Sequence, residues 1–184
     1  GSIVMLAVIM GLMLAFDMGG PVNKVAYAFM LICVAQGVYT VVAIAAVGIC
    51  VPPLGMGLAT LIGRKNFSAE ERETGKAALV MGCVGVPEGA IPFAADPLRV
   101  IPSIMVGSVC GAVTAALVGA QCYAGWGGLI VLPVVEGKLG YIAAVAVGAV
   151  VTAVCVNVLK SLARKNGSST EEKEDDLDLD FEIN

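Results

Sequence analysis

The stretch Gly85-Val86-Pro87-Glu88-Gly89-Ala90-Ile91-Pro92-Phe93, continued by Asp96-Pro97-Leu98-Arg99-Val100-Ile101-Pro102, decides what kind of fold this chain adopts. Prolines recur there every fifth residue inside apolar sequence. Each removes a backbone donor and clashes with the preceding turn, so one continuous helix does not fit. In a bilayer the freed backbone groups must be satisfied within the protein, and a carboxylate at helix-centre depth costs about 3 kcal/mol on insertion scales. The segment is therefore expected to turn away from lipid, as a pair of half-helices or a re-entrant hairpin, and to line a cavity that holds a polar solute.

Composition supplies the membrane. The chain is 58% hydrophobic and 14% charged, with mean hydropathy +0.91, well outside soluble usage. At roughly 20 residues per span, its 184 residues allow about five to seven elements. Charge is uneven: eight acids from Glu171 onward against Lys173 carry −7, which leaves the first 170 residues at +3. Residues 163–184 are thus expected to form an acidic, disordered cytoplasmic tail behind a membrane region of residues 1–162. Histidine is absent, so the commonest metal ligand and the usual neutral-pH proton shuttle are missing. The six cysteines stand singly, without C-x-x-C or metal spacing, and are expected as small buried apolar residues. No metal, cofactor, nucleic acid or catalytic residue is expected. The abrupt apolar start at Gly1-Ser2-Ile3 is expected of a chain entered part-way, with no signal peptide.

Working outward from the proline stretch, the pattern predicts an all-α integral membrane protein, a multi-span bundle with broken helices. Ile3 to Phe16 is a short apolar run, stopped by Asp17-Met18-Gly19-Gly20-Pro21. Val25 to Val51 is expected to cross, with Pro52-Pro53 ending it and Leu54 to Gly63 as a short separate piece. Ser68-Ala69-Glu70-Glu71 has the capping-box spacing of a helix start. The bases around it, Arg64, Lys65, Arg72 and Lys76, and those closing the last span, Lys160, Arg164 and Lys165, place both clusters and the C-terminus on the cytoplasmic side. The two agree if the segment Ala77 to Pro102 dips in and returns. Trp126 to Pro133 is a second piece too short to cross, near an expected aromatic belt of Tyr123 and Trp126. Leu139 to Leu162 is the clearest span, rich in small residues that permit close helix approach.

Charges at membrane depth are functional candidates. Glu88 leads, because Gly85 and Gly89 flank it and let backbone approach a ligand, while a carboxylate accepts from two vicinal hydroxyls at once, as a sugar offers. An ion pair of Glu88 with Arg99, or a half-helix cap, is the structural alternative. Asp17 and Asn23 flank the Gly19-Gly20-Pro21 break, aimed inward or left in an interfacial loop, with Lys24 as a counter-ion or an anchor. Asp96 either caps Pro97 or meets the ligand, and Arg99 either pairs with Asp96 or touches substrate. The candidate substrate-binding set is Glu88, Gly89, Asp17, Asn23, Asp96 and Arg99.

Three motifs in order, Phe16-Asp17-Met18-Gly19-Gly20-Pro21-Val22-Asn23-Lys24, Gly57-Leu58-Ala59-Thr60-Leu61-Ile62-Gly63-Arg64-Lys65 with Phe67-Ser68, and Glu88-Gly89-Ala90-Ile91-Pro92-Phe93 with Asp96 to Pro102, resemble the membrane IIC component of fructose-type bacterial sugar phosphotransferase systems. The resemblance covers about residues 1 to 162 and looks like the C-terminal half of that membrane domain. It implies a homodimeric permease in the bacterial inner membrane. Such a permease binds a hexose, fructose or fructose-like, carries it inward by an elevator-like movement, and presents it to a IIB partner charged by IIA. The family's sugar-binding glutamate maps onto Glu88. Its usual preceding threonine or serine is Pro87 here, and its proline-histidine-glycine-glycine turn reads Gly125-Trp126-Gly127-Gly128, which opens the substrate class to related hexoses or hexosides. The family's phosphoryl-carrying cysteine belongs to IIB, and none of the six here has its setting. Two other readings stand beside this one: a truncated, transport-incompetent membrane fragment, and an ion-coupled secondary transporter using Glu88 and Asp17.

Overall fold

The computed structural model describes the backbone of residues 1–182 and the side chains of residues 1–165. It is an all-α bundle: α1 (Ser2–Phe16), α2 (Pro21–Ala35), α3 (Tyr39–Ile62), α4 (Ala69–Val84), α5 (Pro97–Leu117) and α6 (Lys138–Glu182). Short 3-10 segments cover Arg64–Asn66, Pro87–Ala95 and Leu129–Val134. The two-residue strands Gln121–Cys122 and Val135–Glu136 pair antiparallel and close the excursion between α5 and α6. The tail expected over 163–184 falls almost wholly on residues whose side chains lie outside those described.

Among the described residues three helices, α3, α5 and α6 as far as Lys165, are long and apolar enough to cross a membrane. Of these, α3 is buried almost throughout and forms the centre, with α1, α4, α5 and α6 packed around it. Glycines let the helices meet at backbone distance: a Cβ on Gly148 would sit 2.9 Å from Gly107 O, and one on Gly111 would sit 3.1 Å from Ala144 O. In lipid, where apolar helices gain little by hiding from one another, such contact is what holds them together.

Two expected boundaries are corrected. The run from Val25 to Val51 is not one helix, because α2 stops at Ala35. Gly37, at φ +74, allows the Gly37 N–H to reach Val34 O at 3.1 Å and the Val38 N–H to reach Cys33 O at 2.8 Å. That pair is a Schellman stop, which glycine adopts without steric cost. Conversely, Pro52-Pro53 lies inside α3 and does not end it. The carbonyl that Pro52 leaves without a helical donor is that of Gly48, and the Ser108 hydroxyl on α5 donates to it at 3.4 Å.

The first half of the proline stretch forms a hairpin with the helix before it, but Pro97 opens α5 and Pro102 lies inside α5 without interrupting it. The hairpin's outward arm is α4, opened by the capping box: the Glu71 N–H donates to Ser68 Oγ at 3.1 Å and the Ser68 N–H donates to Glu71 Oε2 at 2.8 Å. After 16 residues, about 24 Å of helix, the arm ends at Gly85, φ +85, again with a Schellman pair to Gly82 O and Met81 O. The 3-10 segment Pro87–Ala95 brings the chain back, and α5 starts from Pro97. The two basic clusters meet at the root: the Arg164 guanidinium donates to Lys65 O at 3.2 Å, and Lys160 pairs with Glu71 at 2.9 Å.

Candidate functional site

The tips of the two interrupted segments touch beside the middle of α3. A Cβ on Gly85 would collide with the Gly127 carbonyl, and one on Gly127 would sit 2.8 Å from Ala46 O of α3. The indole N–H of Trp126 donates to Val84 O at 2.7 Å, satisfying a terminal carbonyl of α4. Tyr27 stands edge-on to Trp126, with ring centroids 6.2 Å apart, and its hydroxyl donates to Gly125 O at 2.8 Å. The buried Tyr141 hydroxyl holds Gly128 O at 2.8 Å. The indole is therefore fixed in place by α2, α4 and its own glycine-rich turn.

Against this junction lies a cavity of about 420 Å³, lined by Gly19, Asn23, Lys24, Tyr27, Ile49, Gly85, Val86, Pro87, Glu88 and Trp126. It sits within the roughly 300–1,000 Å³ usual for small-molecule sites. Glu88 projects from the 3-10 segment so close to the Asp17–Gly20 turn that a Cβ on Gly19 would lie 2.6 Å from its Oε1. Gly19 has φ +106, so both conformation and space demand glycine there. Neither Glu88 nor Lys24 forms an ion pair among the described residues. A carboxylate that accepts, an ammonium that donates and an aromatic face thus share one cavity, the mixture that hydroxyl-bearing rings use.

Of the six residues singled out in the sequence, two reach this cavity, Glu88 and Asn23. Asn23 is 5% exposed and its Nδ2 donates to Leu14 O at 2.6 Å, tying the end of α1 to the start of α2. Asp17 turns its carboxylate on its own backbone: Oδ2 accepts from the Val22 N–H at 2.7 Å and Oδ1 from the Asn23 N–H at 3.0 Å. Gly89 is buried against Met81 and Pro53 and does not line the cavity. Asp96 and Arg99 pair with each other at 2.9 Å and line a different cavity at the hairpin root, so Arg99 is not the partner of Glu88. Tyr27 and Trp126 as cavity walls were missed by sequence reasoning. Trp126 carried a signal, a lone tryptophan ahead of Gly127-Gly128, whereas Tyr27 carried none beyond lying one turn past the α2 break.

The cysteines are all free. Cys33, Cys50 and Cys122 are buried as expected, but Cys83 is exposed on α4. Among the described residues no cluster of acids and cysteines has metal-binding geometry.

Fold and cavity together define a membrane protein whose interrupted helices border an open cavity lined by Glu88 and Lys24. Comparison by sequence then gives its relatives. The chain is 98% identical over 185 aligned residues to the fructose-like permease IIC component 2 of Escherichia coli K12, covering all of this chain and 52% of that protein. It is 47% identical over 163 residues to the fructose-specific EIIB'BC component of the PTS system in Xanthomonas campestris, covering 86% of this chain and 28% of that protein. It is 40% identical over 160 residues to the fructose permease IIC component of Bacillus amyloliquefaciens, covering 87% of this chain and 53% of that protein. Over the part it covers, this chain is similar in sequence to fructose-type IIC membrane components. It spans about half the length of the two IIC relatives. No family model and no solved structure matches it.

Proposed function

We propose that this chain is the sugar-binding part of a phosphotransferase-system permease. It takes a hexose, fructose or fructose-like, from outside and presents it on the inner side to a IIB partner that IIA supplies with phosphate. The observation that carries this reading is Glu88 on interrupted backbone, facing a cavity of about 420 Å³ with Lys24, Asn23 and Trp126 at the junction of two re-entrant tips. Chemistry falls to the partner. The membrane chain contributes recognition and vectorial access, with Glu88 accepting from adjacent hydroxyls, Lys24 donating to a ring or hydroxyl oxygen, and the fixed Trp126 face covering apolar ring carbons. The convergence of the two basic clusters at one end supports a cytoplasmic loop and C-terminus. The EIIB'BC name of the Xanthomonas relative supports IIB as a partner, and IIA follows from the family the motifs resemble. The assembly is a homodimer in lipid, as in the family the motifs resemble. The ion-coupled alternative loses support because both Asp17 oxygens are committed to backbone amides.

Trp126 is the chain's single tryptophan and lines the cavity, so its emission reports binding directly. Titrating purified protein with a hexose panel should give saturable quenching by one sugar, at least tenfold weaker in Glu88→Gln with unchanged thermal stability. Phosphoenolpyruvate-dependent uptake of the same sugar, with IIA and IIB co-expressed, then tests transport. Quenching by no hexose, or equal affinity in Glu88→Gln, overturns the assignment.

A further inference from the structure

A second cavity, of about 380 Å³, lies at the root of the hairpin and is independent of the hexose reading. Lys65 from the Arg64–Asn66 turn, Arg99 from the first turn of α5, and Lys160 and Arg164 from α6 line it together with Asp96. Four cations thus face one carboxylate. That carboxylate is already taken, because Arg99 Nη1 donates to both Asp96 oxygens, at 3.0 and 2.9 Å. This end-on geometry leaves the rest of the Arg99 fork available. Lys160 is engaged by Glu71 from behind the wall, at 2.9 Å. Lys65 and Arg164 have no carboxylate partner among the described residues. Three separate segments therefore hold like charges around one space, an arrangement that self-repulsion disfavours unless an anion occupies it.

We propose that this cavity binds a phosphate-ester oxyanion. Two cations left without a carboxylate match the one or two negative charges of a phosphate ester. Donors arriving from three segments suit the tetrahedrally disposed oxygens of a phosphate ester better than the two coplanar oxygens of a carboxylate. The same chemistry is offered by a soluble phosphate monoester and by an anionic lipid headgroup, and the experiment separates them.

The full chain is placed in nanodiscs of phosphatidylcholine alone, or with phosphatidylglycerol, and titrated calorimetrically with inorganic phosphate and glycerol 3-phosphate at low salt. Retained phosphatidylglycerol is measured in parallel by native mass spectrometry. Saturable phosphate binding in phosphatidylcholine, weakened about tenfold or more in Lys65→Gln and in Arg164→Gln but unchanged in the surface control Lys76→Gln, supports a soluble ester. No phosphate binding, with phosphatidylglycerol retained by the native protein and by Lys76→Gln but lost in the double variant Lys65→Gln/Arg164→Gln, supports a headgroup. Binding of neither, or equal weakening in Lys76→Gln, overturns the proposal. Native Trp126 emission in every variant shows that the fold is intact, and hexose quenching unaffected by these changes separates this site from the Glu88 cavity.

Discussion

Replacing Gly85 by alanine strikes the point where the two interrupted segments touch. Gly85 sits at φ +85, where a Cβ costs about 1–2 kcal/mol. The added methyl also collides with the Gly127 carbonyl, and since that neighbour is backbone it cannot rotate away. Forcing it aside adds about 1–3 kcal/mol, the usual cost of overpacking. Gly119→Ala isolates the first contribution, because Gly119 has φ +64 and nothing within 4 Å of a built Cβ. Gly119→Ala should therefore cost about 1–2 kcal/mol and Gly85→Ala about 2–5 kcal/mol. The assay is denaturant unfolding of purified protein followed by the emission of Trp126. Because the indole donates to Val84 O at 2.7 Å, next to the altered residue, native Gly85→Ala should also emit further to the red. Equal destabilisation by the two substitutions, with emission unchanged in Gly85→Ala, would refute the contact between the tips.

Asp17→Ala should lose about 1–2 kcal/mol, the cost of deleting a helix N-terminal acceptor, because the Val22 and Asn23 amides lose their partner; unfolding midpoints read it, and no loss contradicts the capping role. Ser108→Ala should cost about 1 kcal/mol by stranding Gly48 O, and the cost should shrink in a Pro52→Ala background, where residue 52 regains its donor; an unchanged cost there excludes the compensation. At the hairpin root, burial pushes the Glu71 carboxyl up, but the Ser68 amide, the Lys160 ammonium and the Ser68 hydroxyl outweigh it and hold the group below its ordinary 4.5. A folded value below the unfolded one means stabilisation that is complete above 4.5 and disappears as pH falls through the depressed value. The stability gap between native protein and Glu71→Gln should accordingly close in acid, and a gap that persists there is the contrary result.

Local signals made much of this architecture legible. Pro87 and Pro92 marked the interrupted return, though Pro102 sits inside α5, and Ser68 with Glu71 marked where the outward arm begins, because these signals rest on chemistry within a few residues. Pro52-Pro53 misled for the opposite reason. Whether a proline ends a helix depends on who satisfies the stranded carbonyl, and here the donor is Ser108, on another helix and distant in sequence. Gly37 was the reverse case, a lone glycine in an apolar run whose positive φ ends α2. The search for charges in apolar sequence singled out Glu88, which lines the cavity, but grouped with it residues that do not. Asp17 is consumed by the backbone it caps, and Asp96 with Arg99 forms a local pair at the opposite end of the hairpin. Only tertiary placement distinguishes a carboxylate that caps from one that faces a cavity.

The hairpin is fastened very differently at its two ends. At the root, Lys160 pairs with Glu71 and lies 4.1 Å over the Phe67 ring, which in turn stands edge-on to Phe93, so both arms are pinned to α6. At the tip, the side-chain hydrogen bond recorded among the described residues is one neutral donor, the Trp126 indole on Val84 O. Glu88 lies just past this lightly fastened tip, far from the charged root. The indole that walls the Glu88 cavity is also the group that fastens the tip, so a solute pressing on that ring bears on the same hydrogen bond.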